Sequence, residues 1–174
     1  MKDKIELFSL CFGDSEESVC EFFAIDDVIT LTEYESCELV AMASLVPLTT
    51  EGGMRGFYAY GVCVHPNHRG KGAFRRIMSS CEAYAKECEA DFVCLIPADK
   101  RLAESYRRMG YDKKIELCHN ADKDSERIFV SSKGFLEYAM PDGDERGAIP
   151  YGLMKPLGEH HKQQMAFFSP MGDC

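Results

Sequence analysis

The sequence predicts an α/β (α+β) fold, in which a mixed and mostly antiparallel sheet is flanked by helices. Three observations support this fold class. Residues 28–65 contain three successive segments with the alternation and the β-branched content of antiparallel strands. After a glycine-containing loop, the apolar period changes to that of a helix over residues 74–88. A short apolar run at residues 92–96 then predicts a strand that is buried on both faces.

The first part of the chain predicts two short amphipathic helices. Apolar residues recur with helical spacing through residues 4–25, and Gly13-Asp14-Ser15 interrupts the pattern. Asp14 or Ser15 can begin the second helix, because a short polar side chain before a helix accepts a backbone N–H. We therefore expect the chain to open in a helix.

The next segments predict an antiparallel meander. Residues 28–34 and 38–48 alternate between apolar and polar positions, and the polar residues 35–37 between them indicate a hairpin turn. A glycine-rich turn at residues 49–53 leads to a third strand at residues 56–65. Three neighbouring antiparallel strands follow from this order.

A strand-helix-strand unit follows the meander. The helix at residues 74–88 separates the strand that ends at His65 from the strand at residues 92–96, and such a connection predicts parallel pairing. Asp99 and Gly110 are the expected start and stop signals of one more helix. The sheet should therefore be mixed, with a parallel pair at its centre.

The remaining residues complete one expected domain. Residues 111–118 and 148–157 predict two further strands, with a helix at residues 131–140 between them. Because 174 residues fall within the size of one domain, we expect a single domain over residues 1–157 and a C-terminal tail over residues 158–174.

Composition excludes several classes of partner. Lys and Arg total 20 against 29 Asp and Glu, and the formal net charge of −9 repels a phosphate backbone and favours cationic partners. No apolar run approaches the roughly 20 residues that span a bilayer. We expect neither nucleic acid nor membrane as a partner, and the early acidic residues in place of a secretory signal predict a cytoplasmic location.

The nine cysteines are odd in number and scattered through apolar patterns, which favours reduced thiols over disulfides. Neither a CxxC pair nor an HxxxH spacing occurs. The sequence therefore predicts no metal site.

The loop before the third predicted helix is suited to a phosphate group. A strand, a tight loop and a helix start direct backbone N–H groups and the positive end of the helix dipole at one point. Gly70 and Gly72 permit close approach of a ligand to the backbone. The local positive charge comes from Arg69, Lys71, Arg75 and Arg76. The alternative is an ordinary strand-to-helix turn with a solvated basic patch.

Two common nucleotide-binding motifs are absent from this loop. It contains neither G-x-x-x-x-G-K-S/T nor G-x-G-x-x-G after a first strand. An ATPase or an NAD-dependent enzyme is therefore disfavoured.

The same segment resembles motif A of the GNAT acetyltransferase superfamily, whose signature is Q/R-x-x-G-x-G/A after a strand that ends in V-x-P. The match is Val64-His65-Pro66 followed by Arg69-Gly70-Lys71-Gly72-Ala73-Phe74, with Phe74 in place of the final small residue. Tyr106-Arg-Arg-Met-Gly110-Tyr111 resembles motif B, Y-x-x-x-G-F/Y. Residues 150–157 look like the closing strand of bacterial members, so the resemblance covers residues 28–157. In this family a strand usually precedes the first helix, and here it is missing or replaced.

The resemblance implies acetyl-CoA as the cofactor, used as a cosubstrate. It further implies that the strands ending near Val64 and Ile96 splay apart, so that pantetheine pairs with the backbone of Val62, Cys63 and Val64, with Gly61 in a bulge. The alternative is a plain central strand. The implied pyrophosphate-binding residues are Arg69, Gly70, Lys71, Gly72, Ala73 and Phe74.

Tyr106 is the catalytic residue that the resemblance implies. Its hydroxyl would donate a proton, or a hydrogen bond, to the departing CoA thiolate. The alternative is a packing role, because Leu102, Tyr106 and Met109 share one helix face. Cys63 is disfavoured as a nucleophile, since the superfamily generally transfers the acetyl group directly.

The general base and the acceptor pocket stay open at the level of sequence. The strand at residues 56–65 contains no Asp or Glu. Candidates for the base are His65, His119, Glu33, Glu35 and the terminal carboxylate at Cys174. Tyr58 and Tyr60 are candidates for lining an acceptor pocket, with simple packing as the alternative.

The sequence thus predicts an acetyl-CoA-dependent N-acetyltransferase that transfers acetyl to an amine, expected to be cationic, of a small molecule or peptide. One alternative is a non-catalytic acyl-CoA-binding or sensing module. A second is a general α/β domain without a CoA site. A homodimer is compatible with the sequence but is not predicted by it.

Overall fold

The computed structural model describes residues 1–116, 127–139 and 151–158. In chain order the elements are α1 (Lys2–Phe12), α2 (Glu16–Phe23), β1 (Ile29–Glu35), β2 (Glu38–Thr50), β3 (Arg55–Val64), a 3₁₀ turn (Pro66–His68), α3 (Ala73–Glu87), β4 (Phe92–Leu95), α4 (Lys100–Arg107), β5 (Lys113–Glu116), β6 (Ile128–Val130), α5 (Lys133–Ala139) and β7 (Tyr151–Pro156).

The two N-terminal helices are confirmed, and their ends have local causes. Gly13 follows α1 in the left-handed conformation, at φ 83°, and its N–H closes the last turn on the Ser9 carbonyl. Ser15 then caps α2, because its Oγ accepts the N–H of Ser18 at 3.3 Å. Helix α1 begins at Lys2, so the described chain opens in a helix as expected.

The sheet is mixed and mostly antiparallel, as predicted. The order of its described strands is β1-β2-β3-β4-β7-β5, and β6 pairs with β2. Strands β1, β2 and β3 form the antiparallel meander, with Ser36 and Cys37 at positive φ in the first hairpin turn. Strands β3 and β4 are parallel, whereas β7 is antiparallel to both of its neighbours, β4 and β5.

Strand β6 was not predicted from the sequence. It contains only three residues, and it pairs with the far end of β2 at Leu48, Thr49 and Thr50. Three residues are too few to show alternation, and its partner lies far away in the chain.

Helix α5 confirms the helix that the sequence predicts at residues 131–140. Of the predicted strands, residues 117–118 and 148–150 lie outside the described residues, as do residues 159–174 of the predicted tail.

The central parallel pair separates soon after it begins. Strand β3 pairs with β4 only from Gly56 to Tyr58, so the later part of β3 has no strand partner on that side among the described residues. A bulge lies in this later part, where Gly61 and Val62 oppose the single residue Ala43 of β2. Gly61 has φ +59°, and a Cβ there would lie 2.6 Å from the Phe8 ring. The bulge therefore requires glycine for two reasons.

Each face of the sheet has its own helices. One face packs against α1, α2 and α5 through a cluster that includes Phe8, Phe22, Tyr58 and Phe135. The other packs against α3 and α4 through a cluster that includes Ile77, Met78, Cys81, Ala103 and Tyr106. In the described part of the chain, no helix combines the length and the apolarity needed to cross a membrane.

Candidate functional site

The gap between β3 and β4 contains the strand residues that were predicted to bind the cofactor. Val62, Cys63 and Val64 all follow the last residue of β3 that pairs with β4. The Val64 carbonyl accepts a hydrogen bond from Arg69 Nε at 3.3 Å and one from Cys11 Sγ at 3.7 Å. The end of β3 is thus held by these side chains and by its pairing with β2, and not by β4.

The loop after β3 leads into a helix N-terminus without a side-chain cap. Gly70 has φ +78°, and nothing lies within 4 Å of a Cβ added there, so the backbone conformation alone requires glycine. Gly72, at φ +85°, is the N-cap of α3 and offers no side-chain acceptor to the first-turn N–H groups. N–H groups of this kind and the positive end of a helix dipole are suited to an anion. Ala73 and Phe74 are the first two residues of the helix.

The four basic side chains of this segment divide into two pairs. Arg69 is bonded to the Val64 carbonyl, and Arg76 donates to the Lys71 carbonyl at 3.2 Å and to a Glu35 oxygen. Lys71 and Arg75 are exposed, and neither forms an ion pair with any residue that the structure describes. Arg69 and Arg76 therefore brace the loop, while Lys71 and Arg75 can reach a ligand.

Two candidates for the general base are held in ion pairs on β1. Glu33 lies 3.7 Å from Arg76 Nε, and Glu35 contacts both Arg76 and His68. The hydrogen bond from His68 and the charge of Arg76 lower the pKa of Glu35 below its usual value, which makes the carboxylate a weaker base. Of the other candidates, His65 accepts the Asn67 N–H through Nδ1 at 3.3 Å. His119 and Cys174 lie outside the described residues.

Tyr106 lies on α4, which begins where Asp99 Oδ1 accepts the Leu102 N–H at 2.7 Å. Its side chain is buried, with the Phe74 ring at 5.1 Å and the Tyr111 ring at 5.8 Å between centroids. Burial raises the pKa of Tyr106 well above its usual range, so its phenol stays protonated and can donate. The contact with Phe74 joins the two sequence motifs in space.

Tyr58 lies near Tyr106 although the two side chains belong to the clusters on opposite faces of the sheet. Burial, together with the neighbouring Tyr60, Cys94 and Tyr106 side chains, raises the pKa of the Tyr58 phenol. Tyr58 is the last residue of β3 that pairs with β4, so it lies where the gap opens.

A pair of thiols joins α1 to the end of β3. A hydrogen bond to Cys11, together with burial, raises the pKa of the Cys63 thiol, so Cys63 is a protonated donor. That donated bond and the charge of Arg69 outweigh burial and lower the pKa of the half-buried Cys11 thiol to about 7. Sequence reasoning missed Cys11, because α1 lies far from the motif in the chain. A nucleophilic role for Cys63 is not supported by a thiol that holds its proton.

Tyr58 and Tyr60 contact an aromatic layer on the face that packs against α1, α2 and α5. The Tyr60 ring lies 5.2 Å from Phe22 of α2 and 5.1 Å from Phe135 of α5, and Tyr58 lies 5.9 Å from Tyr60. The sequence did not indicate Phe22 and Phe135 as neighbours of the site. Each is an ordinary apolar position in its own helix.

An acidic cleft of about 670 Å³ lies between the end of α2 and the start of α5. It is lined by Glu21, Ala24, Ile25, Asp26, Asp27, Lys133, Gly134 and Tyr138. Tyr138 contacts Phe22 at 5.3 Å, and Phe22 in turn contacts Tyr60. These ring contacts connect the cleft to Tyr60 of β3.

Solved structures share this fold. The Escherichia coli GNAT family N-acetyltransferase YhbS, in complex with CoA, matches with a TM-score of 0.64 and 11% identity over 98% of this chain and 84% of that chain. Aminoglycoside 6'-acetyltransferase type Ii matches with a TM-score of 0.60 and 15% identity over 92% and 91% of the two chains. A GCN5-related N-acetyltransferase from Anabaena variabilis matches with a TM-score of 0.51 and 21% identity. The match covers 65% of this chain but only 29% of that longer protein.

No curated protein matches the chain in sequence. The family model described as acetyltransferase (GNAT) domain matches residues 1–113, from the start of the chain through the strand gap, the glycine loop and Tyr106. This match covers well over half of the chain, and it agrees with the fold. The chain belongs to the GNAT acetyltransferase family.

Proposed function

We propose that this chain is an acetyl-CoA-dependent N-acetyltransferase that transfers acetyl directly to an amine of a small molecule or peptide. The observation that supports it best is one juxtaposition. Strand β3 loses its parallel partner after Tyr58. The same strand ends at Val64, and the loop that follows it leads to the start of α3, where Gly72 provides no side-chain cap. An extended arm with a pyrophosphate at one end fits both features at once.

In this proposal the backbone does most of the cofactor binding. Pantetheine pairs with backbone groups of Val62, Cys63 and Val64 along the part of β3 that lies beyond its pairing with β4. The amides of residues 70–74 bind the pyrophosphate, and Lys71 adds a mobile charge. The left-handed glycines suit this role, because a close approach to backbone N–H groups leaves no room for a Cβ.

The reaction removes two protons from the acceptor nitrogen and supplies one to the departing sulfur. Once the acceptor ammonium has lost its first proton, the neutral nitrogen attacks the thioester carbonyl carbon. The nitrogen gives up its second proton to solvent, and the C–S bond breaks as the tetrahedral intermediate collapses to the amide. Tyr106 donates its phenolic proton to the departing sulfur and regains a proton from solvent. Its raised pKa keeps that proton in place until the transition state, where the thiolate develops.

The acceptor is expected to carry positive charge. The chain has a formal net charge of −9, and the cations near the loop are either bonded to the protein or placed to meet phosphate groups. Tyr58 and Tyr60 are proposed to face the acceptor from the aromatic layer. An amine thus approaches from the side of α1, α2 and α5, while the cofactor enters from the side of α3.

Acetyl-CoA-dependent release of free thiol tests this function. The purified chain is incubated with acetyl-CoA and with polyamines, aminoglycosides, amino acids and peptides that have a free N-terminus. Thiol release above the rate without an amine, together with an acetylated product of the added mass, supports the proposal. An N-acetylated form of any accepted amine is the matched control and should give only the background rate.

Two results would replace the proposal. If calorimetry shows binding of acetyl-CoA but every amine gives only background release, the chain is a non-catalytic acyl-CoA-binding module. If neither acetyl-CoA nor CoA raises the melting temperature, the gap and the loop do not form a CoA site. The second result would leave a general α/β domain.

A further inference from the structure

A cluster of two histidines and two carboxylates lies next to the glycine loop, outside the proposed cofactor site. Its members are His65, His68, Glu38 and Glu35. His65 directly follows β3, His68 ends the 3₁₀ turn, and Glu38 begins β2. One ligand atom from each of these three residues lies within 4.8 Å of the others. We propose that Glu38, His65 and His68 bind a divalent transition-metal ion of the Zn²⁺ type.

The geometry around His68 carries this proposal furthest. Its Nε2 lies 3.3 Å from a Glu38 oxygen, and its Nδ1 lies 3.1 Å from a Glu35 oxygen. Ligand atoms in a tetrahedral zinc site lie about 3.3 Å apart, given bonds of about 2.0–2.1 Å to the metal. The pair of Glu38 and His68 already has this spacing.

Glu35 supplies the outer partner that metal-binding histidines normally have. With the proton on Nδ1, His68 donates to Glu35 and presents its Nε2 lone pair toward Glu38. Arg76 holds Glu35 from the other side, so the orientation of the His68 ring is fixed before any ion arrives. The His68 side chain is only 16% exposed, which limits competition from water.

His65 completes the set with a second imidazole. Its ring lies 5.7 Å from the His68 ring between centroids, and the Asn67 N–H holds its Nδ1 at 3.3 Å. Binding through Nδ1 replaces this bond, and binding through Nε2 moves the ring proton to Nδ1, so either mode gives up the bond from Asn67. Glu38 is 56% exposed, so its side chain can rotate to close the remaining distance while water takes the fourth position.

The donor set defines the class of ion. Two imidazole nitrogens and one carboxylate suit Zn²⁺, Co²⁺ or Ni²⁺, whereas Mg²⁺ and Ca²⁺ prefer oxygen ligands throughout. Ligand spacing in the sequence does not reveal the site, because Glu38 reaches the histidines only through the pairing of β2 with β3. The His65 N–H to Val40 carbonyl bond, at 2.8 Å, marks that junction. An ion here would tie the first hairpin to the loop, and this role is independent of acetyl transfer.

Metal titration of the full chain tests the site. Chelator-treated protein is titrated with ZnCl₂ by calorimetry and with CoCl₂ by absorption spectroscopy. We expect one site whose affinity falls at least about tenfold in Glu38→Gln and His68→Ala, and by about 10- to 100-fold in Glu35→Gln, the scale for an outer partner of a ligand. ZnCl₂ should also raise the melting temperature of the wild type but not that of His68→Ala.

Controls separate this site from other ligands in the chain. Glu87→Gln removes a carboxylate from α3 and should leave the affinity unchanged. Replacing the adjacent His160 and His161 by alanine should also leave it unchanged. If His68→Ala does not fold, Glu38→Gln carries the test, because the exposed Glu38 side chain contributes little to packing.

Three results would overturn the proposal. Absence of Zn²⁺ and Co²⁺ binding would leave His68 as a metal-free bridge between two carboxylates. Equal Zn²⁺ affinity in the wild type and in Glu38→Gln would show that the ion binds at another site. An intense near-ultraviolet thiolate band in the Co²⁺ complex would assign the ion to cysteines instead.

Discussion

The two faces of the sheet build their parts of the proposed site by different means. The face that packs against α3 and α4 relies on backbone conformation, with a parted strand pair and left-handed glycines at Gly70 and Gly72. The opposite face relies on side chains, since Tyr60 meets rings from α2 and α5. The backbone-built part is one continuous stretch of chain, and the aromatic part is collected from distant segments. Only the part built from a continuous stretch of chain produces a pattern that can be recognised in the sequence.

The largest expected effect comes from breaking the backbone-built part. Gly72→Val places a β-branched residue at φ +85°, a conformation that costs about 1–3 kcal/mol, and it changes the direction of the first-turn amides. We expect acetyl-CoA affinity to fall at least about 100-fold, which corresponds to about 2.8 kcal/mol. Calorimetry measures it directly.

Gly53→Val is the matched control for this prediction. Gly53 has the same φ of +85° and open space around it, but it lies in the turn between β2 and β3. Both variants should lose similar amounts of stability, and only Gly72→Val should lose acetyl-CoA. An unchanged dissociation constant for Gly72→Val would remove the loop from the cofactor site.

Tyr106→Phe tests the one side chain on the cofactor face that is proposed to take part in chemistry. The ring and its contacts with Phe74 and Tyr111 remain, so melting temperature and acetyl-CoA affinity should barely change. If the hydroxyl is the general acid, turnover should fall by about 10²-fold or more. Tyr84→Phe on α3 is the control and should keep full turnover.

The pH profile sharpens the same test. Because burial raises the pKa of Tyr106, its phenol keeps its proton below about pH 10, so its ionisation should not limit wild-type turnover in that range. Turnover of Tyr106→Phe within about threefold of wild type, with chemistry rate-limiting, would show a packing role only.

Tyr60→Leu tests the aromatic part alone. The ring contacts with Phe22 and Phe135 lie within the protein, so their loss should lower its stability. Because Tyr60 is proposed to face a cationic amine, loss of its ring should raise KM for the amine about two- to fivefold, the range that corresponds to a cation–π contact worth about 0.5–1 kcal/mol. Acetyl-CoA affinity should stay the same. The exposed Tyr34→Leu on β1 is the control. A change in acetyl-CoA affinity without a change in KM for the amine would show that Tyr60 contacts the cofactor and not the acceptor.

The smallest expected effect concerns Cys11, which contacts β3 where the two parts meet. Its pKa is lowered to about 7, so its thiolate fraction, and with it the rate of alkylation by iodoacetamide, should rise through pH 7. Cys63→Ala removes the largest cause and should move the midpoint upward, toward the ordinary value of 9.0. Peptide mass spectrometry identifies the alkylated residue.

Cys81→Ala is the control for the thiol pair, because Cys81 is a buried thiol on the opposite face. This variant should leave the Cys11 midpoint near pH 7. A midpoint that does not move in Cys63→Ala would mean that the two thiols are not coupled.

The fold could be predicted well because its signals are local. Ser15 and Asp99 cap helices through N–H groups three residues away, and helix α3 shows its apolar face within one segment. Strand β6 escaped prediction because it has only three residues and its strand partner, β2, lies far away in the chain. Local propensity depends on neighbouring residues in the chain, so it does not reveal such a distant partner.

The partners of the basic side chains show the same limit. The sequence grouped Arg69 and Arg76 with Lys71 as ligands for phosphate, and this stays a prediction. In the structure Arg69 bonds the Val64 carbonyl and Arg76 bonds Glu35. A cation is drawn to whichever acceptor folding brings near it, and spacing along the chain does not reveal that acceptor.

By itself the sequence determined the order of the elements apart from β6, the parallel strand pair and the glycine loop, because residue type fixes local backbone conformation. The tertiary structure decided which side chains meet at that backbone: Cys11 beside Cys63, Phe22 and Phe135 around Tyr60, and Glu38 beside His68. These contacts join residues that are far apart in the chain. They arise only when the helices pack on the sheet, since burial of apolar surface is non-directional and leaves the choice of neighbours to the topology.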